Sequence, residues 1–284
     1  MHSNKYPSVS QVINCSTEAK IMSPVGKTQM LQSPAYERSD ASQQSQYVFP
    51  YHYIPSLDNG HFSQHLYWSW GLHYLAAMQL ILDILAEEPF DTLIDVGCGD
   101  GRLLREVNRH FTGKRLLGVD YSSRAINLAR AMNPHLDFEC IDICADKLQQ
   151  PAFDVVTLLE VLEHIPVDFV DDFVRAFADF QKSGGRLILT VPHKNKTLPT
   201  KHCQHFDSAT LQKLLQPTYE IERIIFIDKT TRLFGRILHL LLANRFFILS
   251  NRCLLDLLYR IYRSRFFSCA ELQCNRICLV AQKK

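Results

Sequence analysis

The chain has no run approaching the ~18 uninterrupted apolar residues of a membrane span, and its first residues lack the apolar core of a signal peptide. Both absences lead to the expectation of a cytoplasmic protein. Charge of one sign is missing too. A formal net charge of +2 over 284 residues carries no global nucleic-acid signature, and no RNA-binding module is recognisable, so nucleic acid is not an expected partner. Nine cysteines are scattered through the chain, and the cluster Cys269, Cys274 and Cys278 lacks the CxxC pairs of a zinc ribbon. Most sit in apolar runs, which suits reduced thiols.

Residues 1–45 are rich in Ser, Gln, Asn and Thr with little periodic apolar pattern, and are expected to form a disordered leader. Residues 46–90 hold "YVFPYHYIP" and then an apolar pattern at helical spacing that stops at Pro89, which predicts an N-terminal helical cap. From residue 91 to 284 short apolar runs alternate with amphipathic segments. "TLIDV" precedes "GRLLREVNRHF", "RLLGVD" precedes "SSRAINLARAM", and "FDVVTLL" precedes "VDFVDDFVRAFADFQK". Strands apolar on both faces, each followed by a helix, predict an α/β fold with a doubly wound, mostly parallel sheet. "YEIERIIFID" and "RICLVAQKK" are the expected closing strands.

The first of these strands runs into "DVGCGDG". Glycines let a backbone turn tightly and approach a ligand at the N-terminus of the next helix. A dinucleotide fingerprint requires G-x-G-x-x-G. Here the glycines are Gly97, Gly99 and Gly101, and the sixth position is Arg102. Asp95 and Asp100 in the same loop suit a cationic ligand better than a pyrophosphate. The next strand ends at Asp120, where an acid can accept both hydroxyls of a ribose. The third ends at Asp142, placed to accept from an adenine amino group, and the fourth ends at Glu160.

At these residues, over roughly 90–228, the sequence resembles the class I S-adenosylmethionine-dependent methyltransferases. The resemblance implies a Rossmann-like sheet with an antiparallel closing strand and S-adenosylmethionine as cofactor. It implies that Asp95, Gly97, Gly99 and Gly101 surround the methionine moiety, with Asp100 of the same loop a further cofactor-binding candidate, and that Asp120 binds the ribose. It further implies that Tyr121 packs on the adenine, that Asp142 and Ile143 frame the base, and that Glu160 closes the cofactor site.

"EVLEHIP" follows the fourth strand, and a helix starting there would place Glu160, Glu163 and His164 on one face. His164 has the ordinary pKa of a general base near ~6.5, and a second imidazole group, His202 and His205, follows in "TKHCQHFD". Glu163, His164 and His205 are the candidate catalytic residues. The stretch is similar to ubiquinone-type O-methyltransferases. It is also similar to small-RNA 3′-terminal 2′-O-methyltransferases, in which such a group with a later histidine binds a divalent metal. By that likeness Glu160, Glu163, His164 and His205 are metal candidates, a reading placed second to a metal-free site. The expected acceptor is a hydroxyl on a small molecule, a glycan or a lipid-linked intermediate. Metal-dependent RNA ribose methylation and a non-catalytic cofactor-binding protein are the alternatives.

The closing strands of the family usually form a tight hairpin. Here residues 229–268 intervene, with eight bases and one acid, Asp256, among many apolar residues. Such a segment packs on the core as a lid or dimer surface, the favoured expectation, or makes peripheral contact with an anionic membrane.

Overall fold

The computed structural model describes residues 56–58, 61–63, 68–146, 152–242, 249 and 251–284. The leader expected over 1–45 lies outside them. Strands β1 (Ser56–Asp58) and β2 (His61–Ser63) pair antiparallel and precede α1 (Trp68–Leu85). The chain then runs through β3 (Thr92–Val96), α2 (Arg102–His110), β4 (Arg115–Asp120), α3 (Ser123–Met132), β5 (Asp137–Cys140) and β6 (Phe153–Leu159). Next come α4 (Val170–Asp179), β7 (Gln181–Pro192), α5 (Ser208–Leu215), β8 (Tyr219–Lys229), α6 (Arg232–Leu242), α7 (Arg252–Arg265) and β9 (Cys274–Lys283).

Seven strands form one sheet in the order β5-β4-β3-β6-β7-β9-β8. β9 runs antiparallel to both its neighbours, and β3 to β7 are parallel. Strand order reverses between β3 and β6, and that reversal opens a crevice beyond the carboxyl ends of those two strands. Both faces are covered, which is why β4 is buried almost end to end. On one face α4 and α5 contribute Phe173, Val174, Phe177, Leu211 and Leu215 to the core. On the other, α1, α2 and α3 contribute Ile81, Leu104, Val107 and Ile126. Each fully buried side chain of this size stabilises the fold by about 1.5–3 kcal/mol.

Helix starts follow the local chemistry. The side chain of Ser122 accepts the Ala125 amide at the head of α3, and Asp207 accepts the Thr210 amide at the head of α5. α2 differs: its N-cap is Gly101 in the left-handed region, with no side-chain cap. The Arg102 amide at its start donates instead to Asp100 Oδ1, one residue before the cap, at 3.2 Å.

α6 and α7 form the excursion between β8 and β9. Leu238, Leu242 and Leu258 pack together with Leu72 of α1, and Phe234 stacks on Phe266 at 4.4 Å between centroids. No helix among the described residues is long and apolar enough to cross a membrane.

Gly101 and Gly113 share a φ of +73°, but a Cβ at Gly101 would sit 2.5 Å from the Phe138 ring, whereas nothing lies within 4 Å of one at Gly113. Gly113→Ala is thus expected to cost only the left-handed strain, about 1–2 kcal/mol. Gly101→Ala adds overpacking of about 1–3 kcal/mol. Urea denaturation of the two variants side by side measures the difference.

Candidate functional site

The loop after β3 is built around a carboxylate that it does not contain. The Gly99 amide donates to Asp120 Oδ2 at 3.1 Å, and the Ser122 amide donates to Oδ1 at 2.9 Å. The backbone reaches this acid because Gly97, Gly99 and Gly101 all adopt positive φ. A Cβ on Gly97 would meet Val161 at 2.5 Å, so loop and β6 exit are in close contact. Asp95, buried at the end of β3, accepts from the Thr157 hydroxyl at 2.7 Å.

Burial dominates the charge state of these acids. It lifts Asp95 to about 7 against the Thr157 hydrogen bond, and lifts Asp120 to about 6 against the two amides. Burial raises Asp100 as well. Acids so placed release their protons most readily when a cation arrives. That condition suits a sulfonium nucleoside, and the bare glycine backbone leaves it a cradle. Tyr121 stands 41% exposed just past Asp120, and Ile143 is buried in the turn after β5, where Asp142 Oδ1 accepts the Cys144 amide. The ten expected cofactor residues are thus gathered at the carboxyl ends of β3, β4, β5 and β6.

The β6 exit departs from the expected helix. Only Leu162–His164 turn, as a single 3-10 turn, and Glu160 before it has a φ of +57°. The cause is a competing partner: Glu160 Oε1 accepts from Arg276 Nε at 3.0 Å and from Thr190 Oγ1 at 3.0 Å. Glu160 is therefore held by β7 and β9, and only its charge reaches His164 and His205.

Glu163 is fully buried and neither carboxyl oxygen has a hydrogen-bond partner. Burial first, and the Glu160 charge second, push its pKa well above the usual range. The loop after β7 is stitched to this turn, with the Cys203 amide donating to the Glu163 carbonyl at 2.7 Å. The stitching brings His202 to His164 at 4.9 Å between ring centroids. Among the described residues, Glu163, His164 and His202 are the group whose ligand atoms all fall within 4.8 Å of one another.

The carbonyl partners fix the tautomers. His164 Nδ1 lies 2.9 Å from the Lys201 carbonyl, which only accepts, so Nδ1 carries the proton and Nε2 the lone pair, 4.0 Å from Glu163 Oε1. His205 Nδ1 likewise donates to the Lys196 carbonyl at 3.0 Å, so its Nε2 accepts the proton of His202 Nδ1 at 2.8 Å. Nε2 of His202 is then its lone-pair nitrogen. Burial holds all three rings neutral, lowering His164 to about 4, His202 to about 3, and His205 below its ordinary value. His205 thus stands behind His202, orienting it.

Sequence reasoning missed the far wall of this region. Arg276, the third residue of β9, is buried and holds Glu160. Asp228 ends β8 with a φ of +65°, and its Oδ1 meets His73 Nδ1 at 2.8 Å and the Tyr262 hydroxyl at 3.2 Å. The available signal was an arginine leading an otherwise apolar closing strand. Asp228 had none, since its partners come from α1 and α7.

A raised acid pKa makes the folded chain bind more protons than the unfolded one between about pH 4 and 7, so the Asp95 contribution is lost as pH rises through that window. Asp95→Asn keeps the acceptor for Thr157 and removes the titration. The stability of the variant relative to wild type is expected to climb by roughly 3–4 kcal/mol from pH 4 to pH 8. Denaturation curves at four pH values give that difference.

A model described as "Methyltransferase domain" matches residues 67–218, more than half the chain. A ubiquinone biosynthesis O-methyltransferase from Albidiferax ferrireducens is 39% identical over 99 residues, 33% of this chain and 38% of that protein. The chain spans less than half the length of the curated relatives it matches. Among solved structures, the N-methyltransferase NodS from Bradyrhizobium japonicum, in complex with S-adenosyl-L-homocysteine, aligns with a TM-score of 0.51 at 13% identity. That alignment covers 74% of this chain and 87% of NodS. The [4+2]-cyclase SpnF aligns with a TM-score of 0.56 at 18% identity, covering 88% and 95%. Such distant structures share the fold, and a cyclase among them shows that the fold alone does not fix the chemistry. The domain match, the strand order and the glycine loop meeting the β4 acid agree: the chain belongs to the class I S-adenosylmethionine-dependent methyltransferases.

Proposed function

We propose that the chain transfers a methyl group from S-adenosylmethionine to a hydroxyl of a small molecule, a glycan or a lipid-linked intermediate. The observation that carries this reading is the pair of half-buried, neutral imidazoles with lone-pair nitrogens beside the β6 exit, next to the acid-lined glycine loop. S-adenosylmethionine, when bound, supplies an electrophilic methyl on a sulfonium. Asp120 holds the ribose hydroxyls, Asp95 and the loop amides face the methionine part, and Tyr121, Asp142 and Ile143 enclose the base. Glu160, fixed by Arg276 and Thr190, closes that side. His164 takes the acceptor's proton at Nε2 while the Lys201 carbonyl keeps the ring in the required tautomer. His202, with its proton held by His205, provides the second lone pair.

A second reading is favoured by one observation, the unpartnered Glu163 carboxyl. A divalent cation held by Glu163, His164 and His202 would give that carboxyl its partner and lower the pKa of an acceptor hydroxyl. The Nδ1 hydrogen bonds of both histidines are those that ligand imidazoles make. This reading also accommodates RNA ribose methylation, which acceptor assays separate from small-molecule chemistry.

Asp120→Ala is expected to weaken S-adenosylhomocysteine binding at least about 100-fold in calorimetry, since two hydrogen bonds to a charged group are lost. Unchanged affinity in the folded variant rejects the assignment. With His164 poised near 4, the methylation rate is expected to stay flat from pH 8 to pH 6 and to fall only below about pH 5. A rate that halves near pH 6.5 removes His164 as the base. For the cation, Mn2+ or Zn2+ is expected to raise the wild-type melting temperature and leave Glu163→Gln unmoved. An equal response of both proteins, or of neither, rejects the metal.

A further inference from the structure

We propose that the outward face of the α6–α7 pair docks on an anionic lipid surface. α6 has two apolar sides. Leu238 and Leu242 are buried against α7 and α1, while Leu233, Ile237 and Leu240 form a second row at i, i+4 and i+7 that faces outward. Leu233 is 74% exposed and Leu240 67%, and Leu257 on α7 adds a fourth outward side chain at 52%. The inner side supplies the core packing of α6, and the side chains of the outer row stand exposed.

The bases are sorted in the same way. Arg263 is spent inside the protein, on the Ala76 carbonyl and Asp83 of α1, and Arg260 pairs with Asp256 on its own helix. Arg232 and Arg236 sit exposed beside the outer row of α6, and Arg252 and Arg265 are exposed at the two ends of α7. Apolar side chains bordered by arginines form the pattern of a helix lying in the plane of a headgroup layer, with leucines below and guanidinium groups at the phosphates.

Charge decides between occupants. Residues 229–268 hold eight bases and one acid, so two copies meeting face to face would set arginines against arginines. A polyanion such as RNA would use the arginines and leave the leucines in water. An anionic bilayer uses both. The helices lie on it and do not cross it, because none is long and apolar enough. The surface also has a place in the fold: α6 starts three residues after β8 ends at Lys229, and β8, running in the same direction as β7, ends at the carboxyl end of the sheet, as do the strands that lead into the glycine loop and the histidines. A lipid-linked acceptor would then reach the site along the plane of the membrane.

The test is co-sedimentation of the full chain with vesicles of phosphatidylcholine, with and without phosphatidylglycerol. Binding to the anionic vesicles alone, weakened by salt, is expected. Leu233→Ser/Leu240→Ser and Arg232→Gln/Arg236→Gln should each lower the partition coefficient at least about tenfold, with S-adenosylhomocysteine affinity unchanged as the check on folding. Three results overturn the proposal: no binding to either vesicle, equal binding to both, or a wild-type dimer that the leucine variant dissolves. None of these bears on methyl transfer, which is read by acceptor methylation in detergent-free solution.

Discussion

A carboxyl removed from water must find a proton, a hydrogen-bond donor or a cation, and this chain removes three of them at one end of one sheet. Asp95, Asp120 and Glu163 are all buried there. Each has a different settlement. Asp120 receives two backbone amides, Asp95 one hydroxyl, and Glu163 nothing. An unpartnered buried carboxyl costs several kcal/mol if charged, so without a ligand Glu163 stays protonated. The region is thus ordered by what it lacks, which is positive charge. A sulfonium at the glycine loop, and a proton or metal ion at Glu163, are the two ways of providing it.

Topology puts that deficit in one place. β3 and β6 are neighbours although the parallel strands β4 and β5, with the helices α2 and α3, separate them in the chain, and the order reversal leaves their ends uncovered by any crossing connection. The same reversal explains the close contact of Gly97 with Val161 across the two exits. Only a residue without a side chain fits between a loop that curls back to Asp120 and a turn that begins at Glu160.

Much of this was legible in the sequence because it is local. The glycine loop, the acids at the exits of β3, β4 and β5, and the alternation of strand and helix all follow from short-range patterns, while the antiparallel sense of β9 came only from the family resemblance. What was not legible depends on partners distant in the chain. The helical reading of "EVLEH" failed because Arg276, 116 residues away, draws Glu160 out of line. Of the histidines in "TKHCQHFD", the sequence favoured His205, whereas the loop geometry set by the Cys203 amide brings His202 to Glu163 and His164 and leaves His205 behind it. Spacing alone does not say which of two histidines three residues apart faces inward from a loop.

The opposite fates of the two glutamates in "EVLEH" follow from one buried arginine. Holding Glu160 at a positive φ costs about 1–3 kcal/mol, and the charge-assisted bond from Arg276, together with the hydroxyl of Thr190, offsets that strain. Arg276 is in turn flanked by Asp228, the other positive-φ acid among the described residues, which His73 and Tyr262 hold from α1 and α7. The cation of this region is therefore fully engaged on the β8–β9 side. Its charge still acts to lower the Glu163 pKa, but no hydrogen bond from it reaches that carboxyl, which lies beside the neutral His164 imidazole instead. The site therefore has its buried arginine committed to Glu160 on one wall and an unpartnered carboxyl, Glu163, on the other.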